Sequence, residues 1–236
     1  MLVYKLTDEN DQSYGGTQWG ENVTHEAIGS GMEFCSGDLI HVYSHPLLAV
    51  LLNVIHANFR TPHLWKAEAE VVASDYGVKL GVKQCTTLMR ITPPEVTLEQ
   101  RLIFGIICAL EVSEDVVWQR WAKGWLDGTD RTLQAALAAR EATSAEEAWA
   151  ANWAVGLTRA AEDKAARAAE ARAAEDKATW EAAWEAEAAM AEREVERTAA
   201  WAAVWAAEAA TSKRGNPLDL IALAKKACGK DKSDAT

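Results

Sequence analysis

The chain has 236 residues, 24 of them basic and 35 acidic, for a net charge of −11. An acidic balance of this size repels phosphate and argues against nucleic-acid binding and against adhesion to anionic membrane surfaces. The opening MLVYKLTDEN lacks a basic flank followed by an apolar stretch, and no apolar run approaches the ~18 residues that span a bilayer. A cytoplasmic protein is therefore expected.

In chain order, residues 2–6 (LVYKL) read as a short strand, and Asp8–Gln12 as a polar turn. Tyr14–Trp19 reads as a second strand interrupted at Gly15 and Gly16, and Val23–Ala27 as a third. Three glycines between Gly29 and Gly37 mark a loop. Leu39–Tyr43 is a strand candidate. Ser44 is the expected N-cap of an apolar helix, PLLAVLLNVIHANF, entered through Pro46. Alternation over Leu64–Val71 and again over Val78–Lys83, with SDYG between them, predicts an antiparallel hairpin. Its register is expected to set Glu68 and Glu70 against Lys79 and Lys83. Strand character continues through Cys85 to Ile91, and Pro93 and Pro94 end it.

Thr97 with Gln100 is a capping box for the apolar helix LEQRLIFGIICALEV. Ser113 is the expected cap of the next helix, which carries Trp118, Trp121 and Trp125 on one stripe and is closed by Gly128.

Composition changes near Asp130. From Arg131 to Ala210, 34 of 80 residues are alanine, the strongest helix former. Tryptophans recur four apart, as Trp149/Trp153, Trp180/Trp184 and Trp201/Trp205, which stacks each pair on one helix face. Ser144 with Glu147, and Gly156, are expected breaks. Leu157–Thr211 lacks glycine and proline, and breaks are expected at Thr179 or Thr198. RAAEDKA occurs at 159–165 and again at 172–178, a period of 13 that keeps no heptad seam. Packing through alanine faces, with tryptophans filling the gaps, is the physical alternative to a coiled coil. Asn216 and Pro217 open a last amphipathic helix, LDLIALAKKAC, with Gly229 as its stop; the residues beyond it are expected to fray.

Cys35, Cys85, Cys108 and Cys228 form no CxxC pair and read as reduced thiols. No phosphate-cradling glycine loop, zincin or nucleophile-elbow motif occurs, so no cofactor and no metal are expected. The weak candidates for chemistry are His41, Tyr43 and His45, which share one face if the strand runs that far. The tryptophan pairs Trp149, Trp153, Trp180, Trp184, Trp201 and Trp205 read either as bundle core or as an interface for a second copy or another protein.

A strand, a His-x-Tyr step and a helix entered through proline resemble ADP-ribosyltransferase-like folds, in which a histidine and a tyrosine flank a nicotinamide pocket. That likeness implies a catalytic glutamate, for which Glu95 is the nearest candidate. The stretches VYKLTDENDQSYGGTQWGENVTHEA (3–27), IHVYSHPLLAVLLNVIHANF (40–59), PHLWKAE (62–68), TLEQRLIFGIICALEV (97–112) and WAKGWLDGTDRT (121–132) resemble a family of uncharacterised phage, prophage and bacterial proteins. The resemblance implies an N-terminal α+β domain joined to an alanine-rich helical tail of variable length, and no activity.

The expected architecture is α+β: a small antiparallel-sheet N-terminal domain with buried helices over 1–96, a helical pair over 97–128, an alanine- and tryptophan-rich helical bundle over 129–211, and a short amphipathic helix with a frayed tail over 212–236. The expected function is that of a non-enzymatic phage- or prophage-type accessory protein whose tail mediates self-assembly or partner binding. The alternatives are an enzyme with a pocket in the N-terminal domain and an acidic decoy for a host defence protein.

Overall fold

A computed structural model describes residues 1–142 and 177–229. The chain folds as α+β. The strands β1 (Leu2–Thr7), β6 (His63–Asp75) and β7 (Lys79–Ile91) form an antiparallel sheet, and the free edge of β7 takes two further strands. β5 (Ile40–Val42) pairs with the first residues of β7, and β4 (Val23–Glu26) pairs with residues 84–87. β6 and β7 form the predicted hairpin, turning through Tyr76 and Gly77 with φ of 48° and 80°. Register shifts along it at Lys66/Ala67, Ala69/Val71 and Val71/Ala73 sharpen its twist.

That twist brings the two ends of the sheet together. Tyr4 and Tyr43 exchange both backbone hydrogen bonds, at 2.9 and 2.8 Å, so β1, β6, β7 and β5 close a circuit. Inside lie Val3, Val42, Ala67, Val82 and Cys85, capped by Trp19. Gly81 leaves room for Leu39, since a Cβ on it would stand 2.7 Å from Leu39 Cδ1 and force that side chain to shift. Outside, Leu6, Tyr43 and Leu64 face the helices.

Helix α1 (Pro46–His56) is buried from Leu47 to Val54, as its all-round apolar sequence predicts. Its cap is His45, whose Nδ1 accepts from Leu47 N at 3.2 Å, and not Ser44. α2 (Leu98–Leu110) starts from the expected Thr97/Gln100 capping box. α3 (Val116–Asp127) is capped by Asp115 rather than Ser113, and ends at Gly128 in the left-handed region. α4 (Leu133–Ala142) follows. The expected breaks at Ser144 and Gly156, the doubled RAAEDKA and the frayed tail end lie outside the described residues.

α5 (Lys177–Arg214) is one unbroken helix of 38 residues, so Thr179 and Thr198 interrupt nothing. The Thr198 hydroxyl donates to Glu194 O at 2.8 Å and spends its hydrogen-bonding capacity inside the helix. α5 lies on α1 and α2 through alanine. Ala200, Ala203, Ala206 and Ala207 share the core with Leu47, Leu51, Phe104 and Cys108. Gly105 permits the approach, since a Cβ there would sit 2.9 Å from Ala199 O. The alanine contact is as expected, but Trp201 and Trp205 fill no gap in it: they lie on the opposite face, 43% and 46% exposed. α6 (Leu220–Ala227) is capped by Asp219, three residues beyond the expected Asn216, and buries Leu220 and Ala224 against the same core.

Among the described residues no helix is long and apolar enough to cross a membrane.

Candidate ligand-binding site at the mouth of the sheet

A cavity of about 510 Å³ opens where β1, β5 and the end of α1 meet the loops that precede β4 and β5. Its most unusual wall residue is Lys5. Period two puts Lys5 with Val3 and Thr7 on the inward side of β1. Sheet closure buries all three, and Lys5 is only 8% exposed. The ammonium donates to His41 O at 3.2 Å and stands 5.3 Å above the Trp19 ring. No carboxylate forms an ion pair with it among the described residues. Burial lowers its pKa from 10.5 to about 8, with the nearby Cys85 opposing.

Trp19 is fixed from three sides. Its indole donates to Ser13 Oγ at 2.9 Å, its backbone N–H donates to Asp11 O at 2.8 Å, and His25 meets its ring edge-on at 4.7 Å. The small hairpin of β2 (Gln12–Ser13) and β3 (Thr17–Gln18), turning through Tyr14–Gly16, sets this geometry, where the sequence had suggested one interrupted strand. The loop over 27–39 forms the facing lip. The Lys83 ammonium holds it by donating to the carbonyls of Gly29, Gly31 and Asp38. This is why Lys83 takes no part in the expected cross-strand pairing. Lys79 pairs instead with Asp75 at 3.4 Å, and Glu68 stands opposite Thr86. Tyr14 and Ile28 form an apolar rim, 81% and 98% exposed.

The third wall is polar and uncharged. The buried Tyr43 hydroxyl and His56 Nδ1 share a hydrogen bond at 3.2 Å, and their rings stack at 5.9 Å. Burial holds the Tyr43 phenol well above its ordinary pKa. Burial first, then the charges of Lys79 and His41, lower His56 from 6.5 to about 3. His41 falls to about 4 through burial and then the charges of Lys79 and Lys5. Its Nε2 accepts from Cys35 N at 3.3 Å, which leaves the imidazole proton on Nδ1. Both histidines are therefore neutral at pH 7.

Of the three residues singled out by sequence, His41 and Tyr43 meet at this cavity and His45 does not. His45 is occupied at the start of α1 and borders a separate hollow with Ile91 and Lys225. Glu95 is exposed between β7 and α2 and does not line the cavity, whose one carboxylate is Glu26 of β4. Lys5, Trp19, His25 and His56 escaped sequence reasoning; a lone charge inside the otherwise apolar LVYKL was the signal available for Lys5. Among the described residues no three His, Cys, Asp or Glu side chains converge as a metal site requires. All four cysteines are free thiols; Cys35 alone is exposed, 3.4 Å from the Lys79 ammonium.

Trp149 and Trp153 lie outside the described residues, and Trp180 and Trp184 fall in the first turns of α5. No family model, no curated protein and no solved structure matches the chain.

Proposed function

We propose that this is a small-molecule-binding accessory protein, with its ligand site in the cavity beside Lys5 and an assembly surface on its helical tail. The observation that carries the ligand site is Lys5 itself. Among the described residues Lys5 has one backbone acceptor and no carboxylate partner; a cation buried so is costly to fold, and the cost falls when a ligand supplies the missing partner. The aromatic floor and the exposed Tyr14 and Ile28 rim suit a compact, partly apolar molecule. The test is thermal unfolding of the full chain against a library of small acids, aldehydes, ketones and aromatic alcohols. Compounds that stabilise the parent chain but not Lys5→Met support the reading. A library in which every stabiliser acts equally on both proteins defeats it.

A second reading, assembly in the manner of a phage- or prophage-type accessory protein, rests on Trp201 and Trp205. Two indoles one turn apart stay about half exposed while the alanines between them are buried. Aromatic residues of this kind anchor protein interfaces. Light scattering from micromolar concentrations upward should show a dimer or larger species that Trp201→Ala/Trp205→Ala dissociates. A parent chain that stays monomeric would remove this reading.

A further inference from the structure

Resting on the cavity as a ligand site, we infer that its ligand carries an aldehyde or ketone and that Lys5 holds it covalently as an imine. The charges around the cavity select this over a salt-bridged anion. Lys5 is the only lysine or arginine among the lining residues, and the Glu26 carboxylate stands in the same cavity. His41 and His56 are neutral and add no positive charge. No helix N-terminus contributes, since α1 begins at Pro46 beside the other hollow. Sites built for anions gather several donors, from a helix N-terminus or a bidentate arginine. Here there is one amine, over Trp19 and below the Tyr14 and Ile28 rim, facing the uncharged wall of His41, Tyr43 and His56.

The same setting favours the amine as a nucleophile. With a pKa of about 8, Lys5 is half unprotonated at pH 8, whereas an ordinary lysine is unprotonated to well under about 1%. The lone pair of Lys5 Nζ attacks the carbonyl carbon, and the carbonyl π electrons move to oxygen. The N–C bond is completed and the C–O bond breaks. The oxygen departs as water with the two hydrogens of the neutral amine, leaving C=N. No oxidant or reductant is consumed. The Tyr43 hydroxyl and the His56 imidazole, hydrogen-bonded to each other on the same wall, offer a neutral donor–acceptor pair for those proton movements.

The experiment is reductive trapping on the full chain. Benzaldehyde and sodium cyanoborohydride are added at pH 8, and the sites of benzylation are mapped by peptide mass. Two amines serve as internal standards: the exposed Lys123 and the N-terminal amine of Met1, which donates to Ala69 O. Lys5 should be benzylated at least about tenfold faster than Lys123, with saturation in benzaldehyde that Met1 does not show. In Lys5→Met the saturable component should vanish while Met1 reacts as before. Benzyl alcohol, the same size without a carbonyl, is tested in parallel for thermal stabilisation. Stabilisation by benzyl alcohol with Lys5 unmodified overturns the imine and leaves the cavity as a ligand site. Neither stabilisation nor modification of Lys5 overturns both. Benzylation of Lys5 no faster than Lys123 also overturns the imine.

Discussion

Lys5 is held in the native state against its own solvation. Below pH 8 it is protonated whether the chain is folded or not, and the folded state bears the full cost of burying the charge. Between 8 and 10.5 the folded state releases its proton first and binds fewer protons than the unfolded chain, so stability climbs with pH; above 10.5 the cost is gone. A shift from 10.5 to about 8 corresponds to about 3 kcal/mol. Lys5→Met keeps the length of the stem and removes the charge. It should stabilise the fold at pH 7 by about 1–3 kcal/mol, less what the bond to His41 O and the contact with Trp19 contribute. Urea unfolding of both proteins from pH 7 to 10.5 should show the two curves converging as pH rises; a variant weaker at every pH contradicts this account. The histidines act in the acid range. With folded pKa values near 4 and 3 against an ordinary 6.5, His41 and His56 leave stability intact above pH 6.5 and erode it as pH falls toward 4 and then 3. His56→Gln retains a partner for Tyr43 without the charging step. Its acid-unfolding midpoint should move to lower pH, which circular dichroism during an acid titration measures.

At the scale of the element, α5 divides its two faces by size. The face on α1 and α2 is alanine, with Ala199, Ala200, Ala203 and Ala207 at 2% exposure or less, while Trp201 and Trp205 occupy the outer face. The helix axes can approach this closely because Gly105 and the alanines leave no Cβ branches between them. Ala203→Leu, placed in a contact with no spare volume, should cost about 1–3 kcal/mol or more. Trp201→Ala should cost about 1 kcal/mol or less, because much of its ring is already in water. Measured unfolding free energies in the reverse order would mean that α5 has been assigned the wrong inner face. Much at this scale was legible beforehand. The all-round apolar run of α1, the Thr97/Gln100 box and the alternation of β6 and β7 are local signals, and each produced its element. What escaped was set from a distance. Ser44 and Ser113 are good caps by type, yet the paths of β5 and α2 placed His45 and Asp115 at the helix starts. Thr198 is a mediocre helix residue, but its propensity penalty is a few tenths of a kcal/mol and the buried alanines around it outweigh that. Lys5 reads as a solvent-facing residue in an isolated strand. It becomes a cavity residue only because Tyr43, 38 positions on, closes the sheet over it.

For the whole molecule the question is whether the tail is an appendage. Sequence composition places a boundary near Asp130, but the packing crosses it. Leu47, Leu48, Leu51 and Leu52 of α1 lie in one core with Ala200, Ala203, Ala206 and Ala207 of α5 and with Leu220 and Ala224 of α6. Two cations reinforce the joint. Arg101 of α2 donates to Val50 O at 2.9 Å and pairs with Glu196 of α5 at 3.3 Å. Arg193 of α5 donates to Asn58 Oδ1 at 2.8 Å, beside His56 and Phe59 of the cavity wall. A chain ending at residue 130 would expose four leucines and leave Arg101 without its carboxylate. Each leucine forfeits roughly 1.5–3 kcal/mol of burial if fully uncovered, and folded domains hold only about 5–15 kcal/mol in reserve. Residues 1–130 alone should therefore bind a hydrophobic dye such as ANS and unfold in urea without a sharp transition, whereas the full chain should unfold cooperatively. Restoring residues 177–229 as a separate peptide should recover part of the transition, because the contacts made to α1 and α2 by α5 and α6 come from that segment, while those of Arg131 and α4 with α3 stay lost. If residues 1–130 unfold with the full chain's midpoint and bind no dye, the alanine face contributes nothing to the fold and the boundary near Asp130 is a true domain limit. If instead the peptide restores cooperativity, the His56 and Phe59 wall of the cavity depends on the tail through Arg193, and anything that loosens α5 must also loosen the cavity.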